Sequence, residues 1–595
     1  MNKNYLLLSL GHNSSAIFVD NSDPQQQEII GYEQERLSGI KADSQFPRDA
    51  INEITKHVSS DKINGCQILI SHWFNFGPHL FANKYITKND IDWLHYICGV
   101  SGNNVHTCER EFTHHDAHAY SAYEFFKYHK GNYDVKGPVM CLVVDGFGNN
   151  EEVLSLYTTD EIKGIKLVHR VYGYDASLGL MYQYATAFVG MKENQDEYKF
   201  LGYEAHIDEY IDEQQLDMLD HYIDVQKERL IKWFNTHSKE PEYYPTNEVI
   251  DFKQLDKVRE DWYGIFTEVL KSIELNGRCE INSFRVRCVI AYFIQQLCER
   301  TLVAWLNDNY SPENLIVAGG VFYNVKLNQT LAEKCTKRMF SVMPLAGDQG
   351  AAIGMYAKHC NRQFEFGDLC WGKRGFYNAE KLIKQKQDKT HRIKYANIKS
   401  PTELEEIQKE IARTIADNNI VNLVIGNMEF GPRALCHTST LFLPTNENVH
   451  CNNIMNGRNE VMPCAPVCKR ENAYELFEDS DNGSIDSVVG SDKYMICTHT
   501  YAKPYSNHYG GIMHKKTLED SFTGRPQIVD IGEFIYVVLD IVEQITDYKA
   551  LVNTSFNVHG RPIAFDTMSI LQNYEYQCEH APVDKKPYLF IIITE

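Results

Sequence analysis

Two histidines, three glycine turns and a scatter of arginines are the residues of this chain that could do chemistry. His114 and His118 stand four apart at the head of an apolar run, Ala117 to Phe126. That spacing puts both imidazoles on one helix face, where they could hold one metal ion or simply mark a histidine-rich helix start. Val139 to Val144 reads as a buried strand ended by Asp145-Gly146-Phe147-Gly148, a turn suited to a metal–nucleotide ligand and a phosphate. Leu315 to Ala318, Gly319-Gly320 and then Asn324 read as strand, turn and helix, a place for phosphate or ribose. Asp348 opens a small-residue helix, either as its cap or as a metal ligand. The stretch Gly426 to Leu435 follows an apolar strand-like run and combines Glu429, Gly431, Pro432 and Arg433. Glycine lets backbone approach a ligand, and arginine offers a planar fork to phosphate or carboxylate. This is an anion site at a strand end or a tight surface turn. Arg458, Arg525 and Asn553-Thr554-Ser555-Phe556-Asn557 fall near other strand ends. Together they line one pocket for a triphosphate or acyl phosphate, or they are ordinary loops.

The elements that must position these residues follow an α/β pattern. Tyr5 to Leu10 is a strand, Gly11-His12-Asn13-Ser14-Ser15 a turn, and Ala16 to Val19 a second strand. The turn suits a phosphate, and a plain connection equally well. Glu33-Gln34-Glu35-Arg36 and Lys41 sit near a strand-to-helix crossing and on their own read as a solvated face. Residues 208–278 are charged and helical, with Trp233, Tyr243, Tyr244 and Trp262, and read as an insertion or cap. Val286 to Asn307 is a long amphipathic helix. Residues 369–396 are polar with little periodicity, which divides the chain into domains 1–365 and 366–595. A length of 595 residues calls for at least two domains. A net charge of −21 excludes the basic footprint of a duplex-DNA binder. No apolar stretch is long enough to span a bilayer, and Tyr5 to Leu8 reads as a core strand rather than a leader. The 16 cysteines lack paired zinc-ribbon spacing, since Cys464 and Cys468 have no matching second pair. They are expected to be reduced thiols in a cytoplasm.

Taken in order, these pieces resemble the NodU/CmcH family of O-carbamoyltransferases over nearly the whole length. The resemblance rests on His12 with Ala16, Glu35-Arg36, Lys41, Phe46-Pro47, the His114–His118 pair and Asp145-Gly146-x-Gly148. It continues through Ser177-Leu178-Gly179, Glu197-Tyr198-Lys199, Ala318-Gly319-Gly320-Val321 with Asn324, and Gly347-Asp348. In the second half it rests on Met428 to Leu435 with Ser439, Arg458, Ala465-Pro466, Tyr494-Met495 and Asn553 to Asn557.

The resemblance implies an N-terminal TsaD/Kae-like domain, an actin-like α/β fold of two related lobes. It implies a C-terminal YrdC-like domain, a twisted α/β sheet over a basic cavity. Carbamoyl phosphate and ATP, with Mg2+, would form carbamoyl adenylate in the second domain with release of pyrophosphate. The carbamoyl group would pass to an acceptor hydroxyl in the first, beside a divalent metal of the Fe2+ or Mn2+ type. By the same resemblance His114, His118 and Asp348 ligate the metal, and His12 is the general base. Lys41 and Asp145 line that site. Arg433, Arg458 and Arg525 supply cations, with Ser555 and Asn557 as neutral donors. Gly146, Gly148, Gly319, Gly320, Asn324, Glu429 and Gly431 contact substrate or nucleotide. Expected acceptors are antibiotic sugars, polyketides, oligosaccharides or a free hydroxymethyl-pyrimidine nucleotide, with no duplex nucleic acid and no membrane, on a homodimer.

The chain departs from the family pattern at four places. Asn456-Gly457-Arg458 stands for Lys-x-Arg, Met462 for an arginine before Pro463, Cys436-His437-Thr438 for Gly-Asn-Arg, and Asn13 for Asp. The loss of cations would weaken the first half-reaction, with Lys469 or Arg470 as candidates to compensate. The alternatives are a threonylcarbamoyl-type tRNA modification enzyme, against which the acidic balance argues, and a weakened nucleotide-binding regulatory protein.

Overall fold

The computed structural model describes residues 3–594 except 75–83, 101, 134, 161–163, 241–249, 377–380, 382–391, 459–463, 479–483 and 503–508. Met462, Pro463, Tyr243 and Tyr244 lie outside the described residues.

Two five-stranded sheets repeat one design. The first holds β1 (Tyr5–Ser9), β2 (Ser15–Asp20), β3 (Glu28–Glu33), β4 (Gln67–Ser71) and β5 (Val105–Thr107) in the order β3-β2-β1-β4-β5. The second holds β6 (Val139–Val144), β7 (Glu152–Asp160), β8 (Gly164–Tyr172), β9 (Asn314–Ala318) and β10 (Met339–Val342) in the order β10-β9-β6-β7-β8. In each, an antiparallel meander of three strands is extended by two parallel ones on the far side of its first strand. This duplication is the two-lobed arrangement that the resemblance implies. The inner strands are almost uniformly apolar because helices cover both faces. The helices His114–His129 and Asp348–His359 pack on each other between the lobes. A Cβ at Gly354 would stand 1.8 Å from the Ala117 carbonyl oxygen, so that crossing requires glycine.

The segment expected as an insertion is two helices, Glu213–Thr236 and Phe252–Ser272. They are not a detached cap. Leu219, Ile223, Phe234, Trp262 and Phe266 join Leu297 and Trp305 of helix Phe284–Asn309 in the core of the second lobe.

The C-terminal half is built on a seven-stranded mixed sheet. Its strands are β11 (Ile393–Ile398), β12 (Val421–Ile425), β13 (Thr438–Phe442), β14 (Ala465–Lys469), β15 (Gln527–Val529), β16 (Ala550–Ser555) and β17 (Tyr588–Thr594). They run in the order β11-β17-β12-β13-β16-β14-β15. Helices Pro401–Ala416 and Phe534–Thr546 bury one face, and helix Thr567–His580 the other.

The halves interlock twice. Residues 488–498 run along the second lobe, where Val489 N donates to Phe340 O at 2.8 Å and Val342 N to Ser491 Oγ at 2.8 Å. At the other contact, Arg36 is buried against Glu33 at 2.9 Å and Glu35 at 3.4 Å. Its Nη2 donates to Gly431 O at 2.6 Å, while Gly431 N donates to Glu33 Oε2 at 3.2 Å. The Glu-x-x-Arg motif is therefore a clamp on the glycine–arginine loop rather than a solvated face. Arg36→Ala would leave Glu33 buried without its partner. It is expected to cost about 3–5 kcal/mol, read from the chemical-denaturation midpoint. A loss below about 1 kcal/mol, the worth of an exposed pair, would contradict the clamp.

Candidate active site

A four-residue ligand cluster lies between the lobes. The first turn of helix His114–His129 is anchored by the loop that follows β6. Asn149 Oδ1 accepts from His114 N at 2.7 Å, and the buried Glu152 accepts from His115 N at 3.0 Å and Thr113 Oγ1 at 2.9 Å. A carboxylate suits a helix N-terminus. One helical turn apart, His114 Nε2 and His118 Nε2 approach to 3.1 Å. Asp348 Oδ1 lies 3.2 and 3.7 Å from these two nitrogens, and Asp145 Oδ2 lies 3.4 and 3.6 Å from them. All four donor atoms fall within 4.8 Å of one another. Burial opposes charge on His114, yet Asp348 and Asp145 together push its pKa up to about 10. Two imidazoles facing two carboxylates fit a divalent cation, which would take the place of that proton.

Asp145, expected to line this site, stands in a ligand position. Its Oδ1 accepts from Gly146 N at 2.8 Å and Gly320 N at 3.0 Å, which turns Oδ2 toward the histidines. The N–H groups of Gly146 and Gly320, expected to face phosphate, are thus committed to a carboxylate. Gly319 has φ +101°, and a Cβ there would stand 2.2 Å from Val144 O, so this turn admits only glycine. A Cβ at Gly148 would meet Glu152 at 2.5 Å. Asn324, expected near ribose, caps helix Val325–Cys335 through Leu327 N and bonds Gln295 at 2.7 Å. Of the two readings of Asp348, the cap fails. Gly347 is the N-cap, and the Asp348 carboxylate faces the histidines.

The C-terminal half contributes the loop that follows β12. Glu429, expected to touch substrate, is its internal strut. Oε1 accepts from Leu435 N, His437 N and Thr438 N at 2.8, 3.0 and 2.8 Å, and Oε2 from Thr438 Oγ1 at 2.8 Å. Gly431 adopts φ +107° against Leu345. The loop thereby presents Arg433. Burial lowers its pKa, with Tyr323 and Tyr198 pulling the other way, and its Nε is shielded without a partner. Burial and then Arg433 push Arg525 well below its ordinary value. Arg458 donates to Thr554 Oγ1 at 3.0 Å, and both Arg458 and Arg525 act on Cys464. No ion pair joins Arg433, Arg458 or Arg525 to a carboxylate among the described residues. Neighbouring guanidinium groups held this way call for an anion.

The remaining expected residues are placed as follows. Ser555 Oγ donates to Asn557 Oδ1 at 2.5 Å, and Asn557 Nδ2 to Arg561 O at 2.7 Å. His12 is exposed and stacks on Trp73 at 5.8 Å. Lys41 lies 3.4 Å from Glu35 and belongs to the clamp. Among the described residues, neither bonds the four clustered side chains. Asn456 is buried, bonded to Asn452 and Gln577, and supplies no charge. Lys469 and Arg470 do not compensate for it. Lys469 pairs with Asp540 at 2.8 Å and Glu543 at 2.9 Å, and Arg470 with Asp530 at 2.6 Å and Asp492 at 2.8 Å.

Sequence reasoning missed Arg374, which lay in the stretch read as polar linker. It donates to Thr438 Oγ1, where the family pattern has arginine, and its Nε and Nη1 are shielded without partners. It missed Tyr323 as well. Gln349 Nε2 donates to Tyr323 Oη at 2.6 Å, and the phenol is acted on by both Arg433 and Asp348. Tyr323 is thus within electrostatic reach of both Asp348 and Arg433. From the N-terminal half Lys199 also reaches across, 3.1 Å from His559.

Residues 6–357 match the family model Carbamoyltransferase N-terminus, and residues 412–580 match Carbamoyltransferase C-terminus. An uncharacterized protein of Methanocaldococcus jannaschii is 25% identical over 582 residues, 95% of each chain. Nodulation protein U of Azorhizobium caulinodans is 28% identical over 282 residues, 47% of this chain and 46% of that protein. Nodulation protein NolNO of Sinorhizobium fredii is 23% identical over 588 residues, 93% of this chain and 75% of that protein. Among solved structures, HypF of T. kodakarensis overlays 60% of this chain and 47% of its own at 12% identity and a TM-score of 0.29. An overlay that loose adds nothing to what the sheets themselves show. With both regions present, in order, on one polypeptide, the chain belongs to the carbamoyltransferase family.

Proposed function

We propose that the chain is an ATP-dependent O-carbamoyltransferase that makes carbamoyl adenylate in its C-terminal half and consumes it in its N-terminal half. The observation that carries this reading is the presence of two unlike sites, a His/Asp ligand cluster and a set of arginines that form no ion pair with a carboxylate among the described residues.

Carbamoyl phosphate and ATP are both polyanions, so their reaction needs fixed cations. Arg433, Arg525 and Arg458 are the residues for that work, with Arg374 beside Thr438 in place of the arginine the family pattern leads one to expect. Water releases phosphate from carbamoyl phosphate, a carbamate oxygen attacks the α-phosphorus of ATP, and pyrophosphate leaves. The acceptor oxygen then attacks the carbamoyl carbon and AMP leaves. The hydroxyl proton goes to a base, for which exposed His12 is the candidate. His114, His118, Asp145 and Asp348 would hold a divalent ion of the iron or manganese type. When bound it supplies positive charge for a phosphate of the adenylate.

A sugar or a free pyrimidine nucleotide as acceptor needs no basic duplex-binding surface.

Incubation with carbamoyl phosphate, ATP and a collection of hydroxyl compounds should release pyrophosphate. One acceptor class should gain the mass of a single carbamoyl group. Failure to release pyrophosphate with every acceptor would overturn the reading.

A further inference from the structure

We propose that Asp368, Cys370 and His437 form a second metal site, for a borderline cation of the zinc type, which ties the segment between the two family regions to the basic loop. One donor atom from each residue lies within 4.8 Å of the other two. Donors around tetrahedral zinc stand about 3.5 Å apart, given bonds of about 2.0–2.3 Å. Asp368 is exposed, whereas Cys370 is 8% exposed. Thiolate, imidazole and carboxylate together favour zinc over magnesium, and they differ from the all-nitrogen-and-oxygen donor set at His114.

A second observation concerns the far side of the His437 ring. Nδ1 lies 3.1 Å from Ile425 O and 3.0 Å from Asn427 O. Carbonyl oxygens only accept, so Nδ1 is the donor nitrogen and Nε2 is the one that would bind a metal. A backbone carbonyl holding an imidazole in this tautomer is the usual support of a metal-bound histidine. The backbone of His437 is fixed as well, donating to Glu429 Oε1 at 3.0 Å.

The partner segment is equally set. Cys370 N donates to Asp368 Oδ1 at 2.8 Å, and Gly372 pairs with Met428 in an antiparallel bridge. One backbone pair thus joins the Cys370 segment to the loop that ends at His437.

Neither residue has work in carbamoyl transfer. Position 437 is one of those at which the chain departs from the family pattern, and the Cys370 thiol is otherwise an unused nucleophile. Burial, then Asp368 and Glu429, push that thiol well above its ordinary range, with Arg374 pulling the other way. A divalent cation between Asp368 and Cys370 reverses that field. The sulfur–metal bond forms as the S–H proton leaves to solvent.

The test uses the full-length chain, stripped of metal and titrated with Co2+ as a spectroscopic stand-in for zinc. Thiolate-to-cobalt charge transfer gives a near-ultraviolet band that the His114 cluster, lacking sulfur, cannot produce. The expected result is a band displaced by zinc, lost in Cys370→Ser and His437→Gln and kept in His114→Ala. Cobalt affinity should fall at least about tenfold in Asp368→Asn, whose exposed side chain can change without disturbing the fold. Absence of the band in the wild-type chain would overturn the proposal, as would its survival in Cys370→Ser or an unchanged affinity in Asp368→Asn. The readout is independent of activity, so it stands or falls apart from the carbamoyl-transfer reading.

Discussion

His114→Ala is expected to lower divalent-metal affinity by at least about 100-fold and to abolish carbamoyl transfer, while leaving carbamoyl-phosphate-dependent adenylation within about twofold of wild type. The size of the effect follows from the cluster. His114 Nε2 lies 3.2 Å from Asp348 and 3.4 Å from Asp145. Its removal deletes one of four donor atoms and leaves His118 as the single imidazole beside the two carboxylates. Adenylation is spared because the arginines sit on the other half. His114→Asn, which keeps a polar group in the buried space, separates loss of the ligand from loss of packing. The measurements are metal content by elemental analysis, pyrophosphate release and acceptor mass. Equal loss of both half-reactions in both variants would refute the division of labour.

The second large effect is at Arg433. Arg433→Ala is expected to reduce adenylation by about 100- to 1,000-fold, the usual effect of deleting one fixed donor at a developing oxyanion. Metal content should be unchanged. The ligand-free protein should gain stability, by about 1 kcal/mol, because a buried cation lacking a carboxylate partner has been removed. That sign separates a binding arginine from a structural one. A structural arginine would cost stability when deleted, as Arg36 is expected to. Arg433→Lys should recover little, since an ammonium cannot reproduce the two-pronged grip of a guanidinium on phosphate. Stabilisation without loss of adenylation would mean that the anion pocket lies elsewhere.

How far the sequence reveals this arrangement depends on how local the cause is. The His114–His118 pair was legible because helical spacing alone puts two imidazoles on one face. The buried strands were legible because runs such as Val139 to Val144 leave little alternative. The orientation of Asp145 and the internal role of Glu429 were not legible, for a shared reason. A carboxylate's role depends on which amides reach it, and Asp145 is held by Gly320, 175 positions away. Glu429 is consumed by amides only six to nine positions on, but that requires the loop to fold back, which composition does not disclose. Lys469 and Arg470 looked available because their acidic partners at 530, 540 and 543 lie far along the chain. Arg374 was hidden in a polar stretch without periodicity, and its partner Thr438 lies 64 positions on. Residues 488–498 carry no pattern announcing that they run along the other half.

ATP–pyrophosphate exchange, with and without carbamoyl phosphate, tests the proposed chemistry most directly when it is run on the wild-type chain, His114→Ala and Arg433→Ala together. Exchange that requires carbamoyl phosphate is expected in the wild type and in His114→Ala, and should be absent in Arg433→Ala. No exchange in the wild type, or undiminished exchange in Arg433→Ala, would contradict the assignment of adenylate formation to the arginine pocket.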